Sequence, residues 1–95
     1  MMSNASETLV PVYVNRKGYL THKPGKLVDV AVALGEQYRR DRGLANPDAW
    51  GVLNRKSNKL KKVVGSRDQA RKDSHKSGWF MPVALFFNNE VHADE

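Results

Sequence analysis

Cysteine is absent from all 95 residues, which excludes a disulfide framework, a thiolate nucleophile and a Cys-based zinc site. That suits a reducing compartment, and a cytoplasmic location is the expectation. Long apolar runs are missing as well. The longest, Trp79 to Phe87, contains Pro82 and falls far short of the ~20 residues that cross a bilayer. The opening MMSNASETLV has neither the basic nor the apolar region of a signal peptide, so no membrane partner is expected. Asn4-Ala5-Ser6 spells a glycosylation sequon, to which no weight is given without a secretory signal.

Catalytic and metal-binding patterns are also lacking. The three histidines, His22, His75 and His92, are far apart and show no i, i+4 or H-E-x-x-H spacing, so no metal and no cofactor are expected. There is no G-x-S-x-G and no phosphate-cradling glycine-rich loop. His75 between Lys72 and Lys76 is the single grouping that could serve acid–base work on a phosphodiester. The chain is read as non-enzymatic.

What the chain does have is positive charge, unevenly placed. Net charge is +6 with pI near 9.8. Between Asn54 and Lys76 lie nine of the 16 cations but two of the ten acids, so this stretch is +7 and the remainder −1. An anionic partner follows: nucleic acid, DNA or RNA, or else an acidic protein surface on which a small inhibitor or adaptor would dock. The candidate contacts are Arg55, Lys56, Asn58, Lys59, Lys62, Arg67, Arg71, Lys72 and Lys76.

Local patterning predicts an α+β domain in the order ββαα(α)β, a three-stranded antiparallel sheet packed against two or three helices. One globular domain is expected over residues 8–88, with a flexible tail at 1–7 and an acidic tail at 89–95. Leu9 to Val14 is rich in β-branched and aromatic residues and predicts a strand, turning at Asn15-Arg16-Lys17-Gly18 into a second strand at Tyr19 to His22. Pro11 within it should face a sheet edge or a bulge. Leu27, Val30, Ala31, Leu34 and Tyr38 recur three or four apart and predict a first helix, ended by Arg39, Arg40, Arg42 and Gly43.

Asn46-Pro47-Asp48 resembles a helix start, and a second helix is predicted over residues 47–64. At about 100° per residue, Trp50, Leu53, Leu60 and Val64 fall between roughly −20° and +60°. Arg55, Lys59 and Lys62 fall near 200°, 240° and 180° by the same spacing, making an outer basic face. Ser66-x-x-Gln69 is a capping box opening a third segment whose one apolar residue, Ala70, leaves it either a solvated helix or a mobile connector. Trp79 to Phe87 is apolar on both alternating sets and predicts a strand covered on both faces, which makes a second copy of the chain a candidate cover and a homodimer a candidate assembly.

Overall fold

The computed structural model describes residues 7–41, 43 and 46–87. The tails, the sequon, Arg42 and His92 therefore lie outside the described residues or at their margins. Strand makes up 43% of what is described and helix 18%, which overturns the expected three-stranded sheet under helices. The molecule is a small compact domain containing both helix and strand, built on a curled, five-stranded half-barrel and a separate three-stranded sheet.

Eight strands and two helices follow one another: β1 (Glu7–Val10), β2 (Tyr13–Val14), β3 (Leu20–Thr21), β4 (Lys26–Leu27), β5 (Ala31–Leu34), α1 (Glu36–Asp41), β6 (Ala49–Asn54), β7 (Lys59–Val64), α2 (Arg67–Ser74) and β8 (Phe80–Phe87). The large sheet runs β1-β5-β8-β6-β7 and the small one β3-β2-β4, with every pairing antiparallel. Pro11 separates β1 from β2. A residue without an N–H cannot continue a ladder, and at that point the chain leaves the large sheet for the small one. The turn at Asn15–Gly18 joins β2 to β3: Asn15 Oδ1 accepts from the amides of Lys17 and Tyr19 at 2.9 and 3.0 Å, and Gly18 takes φ +89°.

The first predicted helix is replaced by β4, β5 and the six residues of α1. Ala31-Val32-Ala33-Leu34 is a strand buried on both faces, and such strands read as unbroken apolar runs in which helical spacing is easily found. The helix predicted over 47–64 is also absent. Those residues form the β6–β7 hairpin, in which Trp50 pairs with Val64 and Leu53 with Leu60. By strand alternation Trp50 and Val64 face one side of the sheet and Leu53 and Leu60 the other, so the supposed single apolar stripe is two half-stripes on opposite faces. Val52, Val63 and Val64 argued for a strand here, and Gly51 against a helix. An added Cβ on Gly51 would stand 2.7 Å from Leu60 Cδ1 and 3.3 Å from Leu85 Cδ1, so the sheet interior needs glycine at this position.

β8 is the strand at the centre. It pairs with β5 and β6, not with the β2–β3 hairpin. Its odd positions join Val10, Val12, Ala31, Ala33 and Leu53 in one core cluster, edged by Leu20 and Val28 from the small-sheet region. Its even positions, Ala84 and Phe86, join Val32 and Leu34 in a second cluster beside Tyr38 of α1 and Trp50, and α2 packs on the same strand. Val83, Ala84, Leu85 and Phe86 are each 0% exposed. The chain itself covers both faces of β8 there, which removes the reason for expecting a homodimer through this strand.

Candidate nucleic-acid interface

The basic stretch from Asn54 to Lys76 folds as a turn, a strand and a helix, and each places its cations differently. Asn54 makes the turn. Its Oδ1 accepts from the amides of Lys56 and Ser57 at 2.9 and 3.1 Å, its carbonyl accepts from the Asn58 amide at 2.8 Å, and Asn58 closes the loop at φ +61°. Asparagine is suited to both roles, since its side chain mimics a backbone turn and tolerates the left-handed region. Arg55 to Asn58 thus project beyond the end of the sheet, all exposed.

α2 begins at Ser66, whose Oγ accepts from the Gln69 amide at 3.2 Å. This is one half of the expected capping box. The segment is a helix that packs on the sheet through one face. Ala70 is fully buried and Ser74 7% exposed, with the Ser74 hydroxyl donating to the Ala70 carbonyl at 2.7 Å; two small side chains let the helix lie close on β8 and β6. A polar anchor supplements them. Asp73, 9% exposed, accepts from Lys62 Nζ at 2.9 Å and from Gln69 Nε2 at 3.2 Å, and Lys76 Nζ stands 3.9 Å away. The hydrogen bond from Lys62, then that from Gln69, hold its carboxyl below the usual carboxylate range. At the other end of α2, Arg67 Nε and Nη2 donate to the two carboxylate oxygens of Glu36 at 2.6 and 3.3 Å, and this pairing lowers the Glu36 pKa.

Two of the predicted contacts, Lys62 and Arg67, are therefore held by the protein's own acids, and a third, Lys76, stands at the edge of ion-pair distance from Asp73 with its side chain 75% exposed. Arg55, Lys56, Lys59, Arg71 and Lys72 have no carboxylate in ion-pair contact among the described residues, although the Arg71 charge helps to lower the Glu36 pKa from a longer distance. Arg55 and Arg71 line one open cleft of about 380 Å³, together with Ser74, His75, Ser77 and Phe80. Lys56 belongs to the same end of the molecule: its Nζ lies 4.2 Å from the centroid of the Trp79 ring, and Trp79 directly precedes Phe80. The Arg55 amide donates to the Trp79 carbonyl at 2.6 Å, tying the 55–58 turn to the 75–79 turn. Asn58 and Lys59 turn elsewhere, lining a second cleft of about 290 Å³ with Leu9, His22 and Leu60. His22 in that cleft has a lowered pKa, through burial and then the charges of Lys23 and Lys62. Lys72 lies roughly 200° around α2 from Ala70, on the outer side.

The basic face predicted on a helix thus does not exist, and its members disperse over three surfaces. What replaces it is a basic end made from Arg55, Lys56 and Arg71 with Trp79, which is 53% exposed. Sequence reasoning left Trp79, Ser77 and Lys61 out of the site. Lys61 is the extra residue at the register shift opposite Val52 and Leu53, and its Nζ lies 4.4 Å from the Phe80 ring centroid. Among the described residues no group of His, Asp and Glu is placed to hold a metal ion, and no helix is long and apolar enough to cross a membrane. Comparison with protein-family models, with curated proteins and with solved structures returned no match.

Proposed function

We propose that this chain is a small nucleic-acid-binding protein that meets the phosphate backbone with its basic end, the 55–58 turn and the flanking C-terminal half of α2. The observation that carries the reading is the sorting of the cations. Arg55, Lys56 and Arg71 lie at one end of the molecule without a carboxylate in ion-pair contact among the described residues, two of them on one cleft, while Lys62 and Arg67 are hydrogen-bonded to Asp73 and Glu36 and Lys76 stands 3.9 Å from Asp73. Unpaired guanidinium and ammonium groups release counterions from a polyanion, and hydroxyl and amide groups beside them, Ser77 and Ser57, can donate to phosphate oxygens.

A mobility-shift titration with DNA and with RNA at two salt concentrations tests this. If Arg55, Lys56 and Arg71 each engage a phosphate, affinity should fall roughly 20- to 40-fold between 50 and 200 mM salt. Absence of a shifted band with either nucleic acid at about 50 mM salt would overturn the reading and leave an acidic protein surface as the partner.

A further inference from the structure

Leu9, Tyr19, Leu27 and Trp79 are the large apolar residues exposed among the described residues, and Trp79 stands out among them because its neighbours Gly78 and Phe80 line the cleft that holds Arg55 and Arg71. Its amide donates to Ser77 Oγ at 3.2 Å and its carbonyl accepts from the Arg55 amide at 2.6 Å, while the residue is 53% exposed. The π-face of an exposed indole is attractive to any planar base. Lys56 already lies against that ring, 4.2 Å from its centroid. The cleft between Arg55 and Arg71 begins at the next residues, Gly78 and Phe80, and its volume of about 380 Å³ lies in the range of small-ligand clefts, about 300–1,000 Å³.

We propose that this end takes single-stranded nucleic acid, with one base stacked on Trp79 and the adjoining phosphate in the cleft between Arg55 and Arg71. The inference rests on the nucleic-acid reading above and narrows it. Two features favour a single strand over a duplex. In a duplex the faces of the bases are covered by their neighbours, so an exposed indole has nothing to stack on. A duplex major groove about 8.5 Å deep admits a helix or a two-stranded ribbon, but β6 is paired on both sides as far as Asn54, to β7 through Lys59 and to β8 through Phe80. Only the four turn residues project, and α2 lies flat with Ala70, Asp73 and Ser74 against the sheet.

The chain has two tryptophans, so Trp50→Phe leaves Trp79 as the sole reporter. In that background an oligothymidylate or oligouridylate of about twelve nucleotides, within the site size of single-strand-binding folds, should quench the Trp79 emission on binding. Trp79→Ala should weaken single-strand binding about 5- to 150-fold, the effect of losing one stacked base, while Trp79→Phe retains most of the affinity and duplex binding is unchanged by either. Single-strand binding that is equal in Trp79→Ala and leaves the emission unquenched would overturn the stacking site while the nucleic-acid reading stands. Binding of duplex in preference to single strand would do the same. If neither oligonucleotide nor duplex binds at about 50 mM salt, both readings fall together.

Discussion

Replacing Arg55 and Arg71 by glutamine should weaken single-strand binding without touching the fold, and the size of the effect can be worked from the surface. Of the cations without a carboxylate partner among the described residues, Arg55, Lys56 and Arg71 make up the basic end, so full engagement of a single strand by these three gives a salt slope near −2.1 at roughly −0.7 per phosphate contact. Removing two contacts brings the slope to about −0.7. At 0.1 M salt that difference corresponds to about a 25-fold loss of affinity. Both arginines are exposed and neither donates to a carboxylate among the described residues, so the thermal midpoint should stay within about 4 °C of the parent, as surface changes of less than ~0.5 kcal/mol allow. Lys62→Gln is the control with the opposite signature. It strips the principal hydrogen bond from a nearly buried Asp73, so it should lower the midpoint and leave the salt slope almost unchanged. Fluorescence titration from 50 to 200 mM salt and thermal unfolding of the same samples measure both quantities. The division between binding and folding cations is refuted if the double arginine variant keeps the parental slope, or if Lys62→Gln changes the slope as much as the arginines do.

Three further outcomes test the fold beneath the site. Leu53→Ala should cost about 2–5 kcal/mol in chemical unfolding, because a fully buried side chain between β6 and its neighbours leaves a cavity; a neutral result would contradict the hairpin register. Gly51→Val should destabilise by about 1–3 kcal/mol through overpacking against Leu60 and Leu85, whereas a helix at 49–54 would gain from losing the glycine. Stability should decline steadily on acidification, because three shifts have the same sign. The pKa of His22 lies below its ordinary 6.5 in the fold, so protonation favours the unfolded chain as pH drops below that value; those of Glu36 and Asp73 lie below 4.5 and 3.8, so their stabilisation, present above the unfolded values, is lost as pH falls through the folded ones. Urea midpoints at pH 7, 5.5 and 3.5 read this directly, and a maximum on the acid side would contradict the assignments.

Local chemistry at the turns and at one helix cap could be read from the chain, because it depends on neighbours in sequence. Asn15 to Gly18 turns, Ser66 caps α2, and Phe80 to Phe87 is extended. What failed was periodicity. Residues 49–54 and 59–64 carry apolar side chains on both faces of a sheet, and sampling one residue from each face, Trp50 with Leu53 or Leu60 with Val64, imitates a helical stripe. A strand buried on both sides has no alternation to betray it, and β5 hides in the same way. The glycine and valines at 51, 52, 63 and 64 were the counter-evidence, since both residue types lower helix propensity. The pair Asn54 and Asn58, four apart at the centre of the supposed helix, was the sign of a turn.

The charge asymmetry could be counted in the sequence, but which charges are available to a partner could not. Arg67 meets Glu36 across 31 residues and Lys62 meets Asp73 across 11, pairings created by the packing of α2 on the sheet and on α1. Within α2 the outcome follows from helix geometry: Asp73 and Ala70 are three apart and face the sheet, so the acid is drawn to Lys62, while Arg71 flanks that stripe and opens onto the cleft. The same packing brings the 75–79 turn beside the 55–58 turn, so that Trp79 and Arg55, 24 positions apart, share a hydrogen bond. The folding of α2 thus does two things at once. It pairs Lys62 and Arg67 with acids of the fold, and it sets Arg71 on the cleft beside the turns that carry Arg55, Lys56 and Trp79.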